Sequence, residues 1–201
     1  MHRTPRTLCQ IAILTIASTT AVACSDFPPQ PTGLAPLDVA TLGPGAASTS
    51  VTSGAEQNRL LATIRQATAQ YHRVDAALAD GYVLGSPCEA VPGGGIGIHY
   101  RKSALFDAVV DPSQPELLVY EPQQNGDLQL VAVAFVVRAA QWDVANSRPP
   151  MLGDQVFEDK RVPDWSSPPF PTYELHVWVW KHNPSGMYAT TNPAVSCEFA
   201  P

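Results

Sequence analysis

The chain has 201 residues, of which 15% are charged, and a formal net charge of −6. This acidic balance argues against nucleic acid as a partner, because phosphate binding needs clustered Lys and Arg side chains and no segment gathers them. The length fits one domain plus a tether, and nothing repeats at a fixed period.

The N-terminal residues have the pattern of an export signal. Arg3 and Arg6 precede an uncharged, mostly apolar stretch that runs from Leu8 to Ala23. This stretch is shorter than the roughly 20 apolar residues that span a bilayer, so it indicates a cleaved signal and not a permanent anchor. The sequence therefore predicts a signal peptide over residues 1–23.

The run Ala21-Val22-Ala23-Cys24 resembles a lipobox and predicts that Cys24 carries the lipid that attaches the protein to a membrane. Ala21 stands where a Leu or Val is usual, so simple cleavage by general signal peptidase is the alternative. Ser25, and not Asp, stands directly after Cys24, so no signal for inner-membrane retention is present and an outer-membrane lipoprotein is favoured. A periplasmic or secreted protein is the alternative if the signal is simply cleaved. The prediction is thus an exported protein of the cell envelope.

Residues 24–54 are predicted to form a flexible tether behind the lipidated cysteine. The stretch from Ser25 to Gly54 contains five prolines and four glycines and shows no apolar periodicity. Such a composition buries too little apolar surface to offset the entropy of ordering the chain. Removal of residues 1–23 would take away two of the 12 basic residues and none of the 18 acidic ones, which leaves a net charge of −8.

A single globular domain is predicted over residues 55–201, and it opens with a helix. Ser53 and Glu56 have the spacing of a capping box, in which each side chain satisfies an orphan amide of the helix end. Gly81 supplies a left-handed stop. The apolar positions recur at alternating spacings of four and three and form one stripe, which comprises Leu60, Ile64, Ala67, Tyr71, Val74 and Leu78.

The pattern then changes to β-structure. Ile96–Tyr100 predicts a short strand, and the runs Leu117–Glu121 and Leu128–Arg138 predict a hairpin around Asn125-Gly126, where positive φ angles are accessible. The second arm of the hairpin is apolar on both faces over most of its length. This composition is typical of a central strand that is covered on both sides.

The C-terminal part is predicted to be a long loop followed by one more strand. Residues 143–171 hold six prolines and little periodicity. Tyr173–Lys181 then alternates, so that Leu175, Val177 and Val179 face one side, and the other side carries Glu174, His176, Trp178 and Trp180.

Cys88 and Cys197 are the two cysteines of the predicted domain. In an oxidising compartment two such thiols usually pair, and the bridge would close a loop of just over 100 residues. A metal site that uses both thiolates is the alternative, although neither cysteine lies in a Cys-x-x-Cys pair. The sequence therefore predicts an α+β fold in which one N-terminal amphipathic helix packs on a small, mostly antiparallel sheet, with a long Pro-rich loop and one disulfide.

Several short motifs resemble those of a group of uncharacterised exported bacterial proteins. They are Gly97-x-His99-Tyr100, the run from Pro115 to Pro122, His176-Val177-Trp178-Val179-Trp180, Asn183-Pro184-Ser185-Gly186 and Asn192-Pro193 before Cys197. The resemblance covers roughly residues 55 to 200. It implies these domain limits and the pairing of Cys88 with Cys197, and it implies no activity, substrate or cofactor.

Three side chains are candidates for a metal site. His99 lies on the first predicted strand, and alternation places Glu174 and His176 side by side on the last one. Two imidazoles and a carboxylate are a common ligand set for divalent zinc, copper or iron. The alternative is a pair of hydrogen-bonded core histidines with a solvated glutamate, and no His-Glu-x-x-His motif is present.

Trp178 and Trp180 suggest two further functions. Together with Trp142 and Trp165 from the long loop, they are candidates for an aromatic platform that binds a sugar or an apolar ligand without metal. The other alternative is a structural or partner-docking lipoprotein, in which these rings only pack.

The sequence does not decide whether the protein is an enzyme, and it singles out no catalytic residue. No Gly-x-Ser-x-Gly elbow is present, Ser185 fits a turn, and Gly93-Gly94-Gly95 lacks the Lys of a phosphate loop. Acid and base roles for His99, His176 and Glu174 or Glu121 are compatible with proton transfer near neutral pH.

Overall fold

The computed structural model describes residues 54–162 and 168–201, and three helical segments open this part of the chain. They are α1 (Gly54–Thr68), a 3₁₀ turn (Ala69–His72) and α2 (Val74–Ala79). The predicted single helix is therefore broken, and Arg73 between the segments has an extended backbone. Ile64 and Tyr71 are buried as predicted, but Leu78 is 50% exposed, because the break shifts α2 out of the phase of the predicted stripe.

A six-stranded antiparallel sheet follows the helices. Its spatial order is β1-β2-β3-β4-β8-β7, and a separate ribbon pairs β5 with β6. The strands are β1 (Val83–Val91), β2 (Gly94–Arg101), β3 (Leu117–Pro122), β4 (Leu128–Arg138), β5 (Met151–Leu152), β6 (Gln155–Val156), β7 (Glu158–Lys160) and β8 (Thr172–Val177). A 3₁₀ turn (Ser103–Leu105) follows β2, and α3 (Ala139–Trp142) follows β4. The predicted α+β class is confirmed.

The predicted hairpin is confirmed and forms the centre of the sheet. Strands β3 and β4 pair antiparallel, and Gly126 has the positive φ angle of 85° that the reversal requires. All residues from Leu130 to Val137 are buried, as expected of a strand that is covered on both faces. The apolar runs of these strands thus report their central position in the sheet.

Two of the strand expectations need correction. Strand β1 was not predicted, because Pro87 and three irregularities in its pairing with β2 remove the alternation that marks a strand. The region 143–171 was expected to be a loop, yet it contains β5, β6 and β7, and β7 pairs with β8 at the edge of the main sheet. Residues 163–167 of that region lie outside the described residues.

The sheet buries a different set of side chains on each face. The helices pack on one face, in the main core, against Leu118, Tyr120, Val133, Phe135 and Leu175. The opposite face carries two smaller apolar clusters, which comprise Val119, Val131, Ala132, Trp178 and Val195 in one and Leu117, Ala134 and Val136 in the other. His99, Glu174 and His176 share this second face by register.

The predicted disulfide is confirmed and ties the C-terminal segment to the sheet edge. Cys88 lies in the outer strand β1, and Cys197 lies 109 residues further along the chain, with a Cα–Cα distance of 5.6 Å. This bridge replaces the alternative in which both thiolates bind a metal. A backbone pairing between Gly95 and Asn192 attaches the same segment to β2.

The N-terminal predictions concern residues that the structure does not describe. The signal peptide over 1–23, the lipid site at Cys24 and all but the last residue of the tether lie outside the described residues. Within 54–162 and 168–201, no helix has the length and apolar character needed to cross a bilayer.

Candidate metal and ligand site

His99 and His176 meet on the second face of the sheet. His99 lies on β2 and His176 on β8, with β3 and β4 between them, so a flat sheet would separate their Cα atoms by about 14 Å. Their Nε2 atoms are nevertheless 3.4 Å apart. The sheet is curled, and Ala132 and Ala134 on β4 are small, which leaves room above that strand for two imidazoles.

The two imidazoles point at each other almost end to end. Their ring centroids are 5.7 Å apart, and their Nε2 atoms are 3.4 Å apart. The difference of 2.3 Å is roughly twice the distance from the centroid of an imidazole ring to one of its nitrogens, as it would be if both centroids and both Nε2 atoms lay on one line. The nitrogen lone pairs or N–H bonds therefore lie close to one common line. At its far end, His99 Nδ1 is 3.0 Å from Ser86 Oγ.

Burial keeps both imidazoles neutral near pH 7. Each histidine is only 7% exposed. Desolvation lowers the pKa of His99 to about 3, with a further contribution from His176. Desolvation also lowers the pKa of His176 to about 4, with a further contribution from the positive charge of Lys160. A neutral imidazole presents a free lone pair on one ring nitrogen, which is the form that binds a metal or accepts a proton.

Glu174 lies on the same face, two residues before His176 on β8. It is 4% exposed, and Thr172 Oγ1 donates a hydrogen bond of 2.7 Å to Glu174 Oε1. The predicted ligand set is thus only partly assembled: the two histidines are in contact, but residues 54–162 and 168–201 contain no group of three or more His, Cys, Asp or Glu side chains positioned to hold one metal ion.

Trp178 shares the face of the histidines as predicted, with its ring centroid 6.5 Å from that of His176, but Trp180 does not. Strand β8 ends at Val177, and the amides of Trp180 and Lys181 both donate to Val131 O, which breaks the alternation. Trp178 is buried in the second-face cluster and donates from Nε1 to Ala189 O. Trp180 packs on the main core and donates to Thr68 Oγ1. The prediction that both rings lie on one face is therefore wrong, and a ligand-binding role for Trp178 stays a prediction.

The remaining candidates of the sequence analysis have other positions. Trp142 packs against the main core, and Trp165 lies outside the described residues. Glu121 accepts an ion pair from Lys181 Nζ at 2.6 Å and the amide of Ser196 at 2.9 Å. These contacts give Glu121 a structural role in attaching the C-terminal segment.

A small pocket opens onto His99 and Glu174. Its volume is about 140 Å³. Polar groups from β1 and β2 meet an apolar cover made by Phe106 and Phe170, whose ring centroids are 6.0 Å apart. The lining residues are Gly85, Ser86, Glu89, His99, Arg101, Phe106, Leu117, Pro168, Pro169, Phe170 and Glu174.

Sequence reasoning missed the pocket because the two segments that build it carry no regular pattern. Ser86 and Glu89 lie on the unpredicted strand β1, and Phe170 lies at the end of the region that was expected to be a loop. The only available signal was the Pro168-Pro169-Phe170 run, which is typical of a covering segment. A larger surface depression of about 670 Å³, lined by His72 and residues between 123 and 129, shares no residue with this pocket.

The arrangement offers two kinds of chemistry. The two neutral imidazoles can bind a metal ion through Nε2, and the pocket gives small molecules or ions access to His99 and Glu174. Lys160, which sequence reasoning also missed, is paired with Glu158 at 3.0 Å on the neighbouring strand β7.

Comparisons with family models, with curated proteins and with solved structures found no match to this chain.

Proposed function

We propose that this chain is an exported, membrane-tethered lipoprotein whose domain binds a transition-metal ion through His99 and His176. The observation that carries the proposal is the 3.4 Å contact between the two Nε2 atoms. Two nitrogens with metal–nitrogen bonds of about 2.05 Å lie about 3.4 Å apart on a tetrahedral ion and about 4.1 Å apart on an ion bound in line. The preformed pair therefore needs at most a small displacement to act as two ligands of one ion.

The surroundings of the pair support metal binding over simple core packing. A hydrogen bond between two neutral imidazoles at 3.4 Å is longer than a normal N–H···N contact, so it repays little of the cost of burying both rings. Ser86 Oγ is 3.0 Å from His99 Nδ1, and in the tautomer with the proton on Nδ1 it accepts that N–H, which leaves the Nε2 lone pair of His99 for the ion. Partners of this kind fix the tautomer of metal-binding histidines.

Metal analysis of the exported protein tests the proposal. Full-length protein, purified without chelator, is expected to hold one ion per chain, and His176→Ala is expected to lose it because a ligand is gone. Ser86→Ala is expected to weaken the affinity about 10-fold, since it removes only the partner that orients His99. Mass spectrometry of the metal content and a competitive titration measure both effects.

The exposed His182 supplies the matched control, because His182→Ala removes an imidazole elsewhere on the surface and should leave the bound metal unchanged. Thermal unfolding followed by circular dichroism verifies that each variant is folded. A folded His176→Ala protein that keeps its metal, or a wild-type protein that takes up none under any loading condition, contradicts the proposal.

The pocket favours a second candidate function, the binding of a small organic molecule without metal. Arg101 and Glu174 would supply polar contacts, and Phe106 and Phe170 would supply apolar ones. At about 140 Å³ the pocket is well below the roughly 300–1,000 Å³ of typical ligand sites, which leaves room for a fragment-sized molecule and not for an oligosaccharide. A metal-free protein that binds such fragments, and loses them in Phe170→Ala, would favour this function.

The tether is tested independently of the domain. Cys24→Ser is expected to move the protein from the membrane fraction to the soluble fraction of the cell envelope, because the thiol that would carry the lipid is gone. Mass spectrometry of the wild-type N-terminus should show a diacylglyceryl-modified Cys24. An unmodified N-terminus at residue 24, with wild-type and variant protein in the same fraction, would favour simple signal cleavage.

The resemblance to uncharacterised exported bacterial proteins supports the same cellular location and stays a prediction. Its motifs include both histidines of the proposed site, within Gly97-x-His99-Tyr100 and His176-Val177-Trp178-Val179-Trp180. The confirmed disulfide between Cys88 and Cys197 is compatible with an oxidising compartment outside the cytoplasm.

A further inference from the structure

We infer that the ion held between His99 and His176 is monovalent copper, bound in line by the two Nε2 atoms, and not a divalent ion in a tetrahedral site. This inference rests on the proposed function and names the ion of the same site. Three features of the pair support it: the direction of the imidazoles, the displacement that each geometry requires, and the charge of the surroundings.

The direction of the imidazoles favours two-coordinate binding. Because the Nε2–Nε2 distance is 3.4 Å and the centroids are 5.7 Å apart, the two ring axes are nearly collinear. A filled-shell monovalent ion such as Cu(I) accepts two nitrogen ligands on one line. Zinc in proteins is almost always tetrahedral, and its ligands approach at about 109° to each other.

The movement of the imidazoles that each geometry requires also favours Cu(I) over Zn(II). In-line bonds of about 2 Å span about 4 Å, so each imidazole has to withdraw by only about 0.3 Å, which is less than the thermal displacement of about 0.5 Å of an ordinary packed atom. Tetrahedral binding keeps the nitrogens in place but tilts each ring axis by about 35°. A tilt of that size takes the side chains off their staggered rotamers.

The charge of the surroundings also favours the lower ionic charge. Both imidazoles are 7% exposed, and the desolvation cost of an ion grows with the square of its charge, so a divalent ion pays about four times the cost of a monovalent one. Lys160 brings a further positive charge close enough to act on His176. Glu158 accepts an ion pair from Lys160 at 3.0 Å, which lowers this repulsion.

Competition between Cu(I) and Zn(II) tests the inference on the full chain. The parent protein carries Cys9→Ser and Cys24→Ser, because free thiols would bind Cu(I) themselves. Under anaerobic conditions with ascorbate, Cu(I) is titrated against a coloured chelator, and Zn(II) is titrated in parallel. One Cu(I) per chain is expected, with two nitrogen neighbours in its X-ray absorption spectrum and an affinity at least 100-fold above that for Zn(II).

Two variants make the result specific to the pair. His176→Met replaces an imidazole by a soft thioether, so it should keep Cu(I) and abolish any Zn(II) binding. His176→Ala should lose both ions, and His182→Ala should lose neither.

The possible failures separate the two proposals. If Zn(II) binds more tightly than Cu(I), with three or more ligands, and is lost in His176→Ala, the copper inference is overturned and the proposed metal-binding function is retained. If folded parent protein binds neither ion at the pair, both are overturned.

Discussion

The free energy of unfolding of the wild-type protein is expected to fall as the pH rises from 6.5 to 8, and Glu116→Gln is expected to abolish that loss. Glu116 is 3% exposed, and its Oε2 accepts the amide of Val136 at 2.9 Å. Burial raises the pKa of this carboxyl to about 8, and the nearby negative charges of Asp107 and Asp111 raise it further. The folded protein thus keeps a proton that the unfolded chain has released.

The sign follows from proton linkage. The unfolded carboxyl titrates near 4.5, so between pH 4.5 and 8 the folded state binds more protons than the unfolded state, and stability falls as the pH rises. The slope is about 1.4 kcal/mol per pH unit well below pH 8 and about half of that at pH 8, which gives a contribution from Glu116 of roughly 1.6 kcal/mol lost between pH 6.5 and 8. Gln keeps an acceptor for the Val136 amide and carries no charge at either pH.

Urea unfolding of wild type and Glu116→Gln at matched pH values measures this difference. Below about pH 7.5 the buried histidines act in the opposite direction: their pKa values are lowered to about 3 and about 4, so the unfolded state binds more protons there. Wild type and variant carry the same histidines, so the difference between their two profiles isolates the contribution of Glu116. Glu198→Gln removes one exposed carboxylate and controls for the change in net charge. Parallel profiles for wild type and Glu116→Gln would falsify the assignment.

The strands with strong apolar runs were predictable, and those without them were not. Strands β3 and β4 are buried over nearly their whole length, so their sequences carry the signal directly. Strand β1 is mostly exposed, contains Pro87 and has three pairing irregularities, so no period of two survives in its sequence. The break in the helix at Arg73 could not be predicted either, because the helical spacing of apolar residues continues across Arg73 although its backbone is extended.

The candidate site shows the same division between local and long-range information. The shared face of Glu174 and His176 follows from strand alternation alone. The contact between His99 and His176 requires that β8 lie beside β4 and that the sheet curl, and neither property is written in the residues near them. The separation of Trp178 from Trp180 depends on where β8 ends, which is the least predictable feature of any strand.

Removal of the disulfide is expected to cause the largest loss of stability. The double variant Cys88→Ser/Cys197→Ser frees a loop between residues 109 positions apart, which in the chain-entropy model costs about 4–5 kcal/mol as an upper bound. The C-terminal segment depends on the bridge, because Cys88 lies on β1, an edge strand of the sheet.

Urea unfolding of the double variant and of oxidised wild type, both with Cys9→Ser and Cys24→Ser, measures the loss. The m-value of the double variant should be higher than that of wild type, because the unfolded chain without the bridge exposes more surface. A lower free energy of unfolding with a higher m-value indicates that the bridge acts on the unfolded chain. A lower free energy with an unchanged m-value would instead place the effect in the folded state, where the Ser196 amide bound to Glu121 at 2.9 Å and the Gly95–Asn192 pairing would be loosened. A change below about 1 kcal/mol contradicts the prediction, since these remaining contacts would then hold the C-terminal segment without the covalent tie.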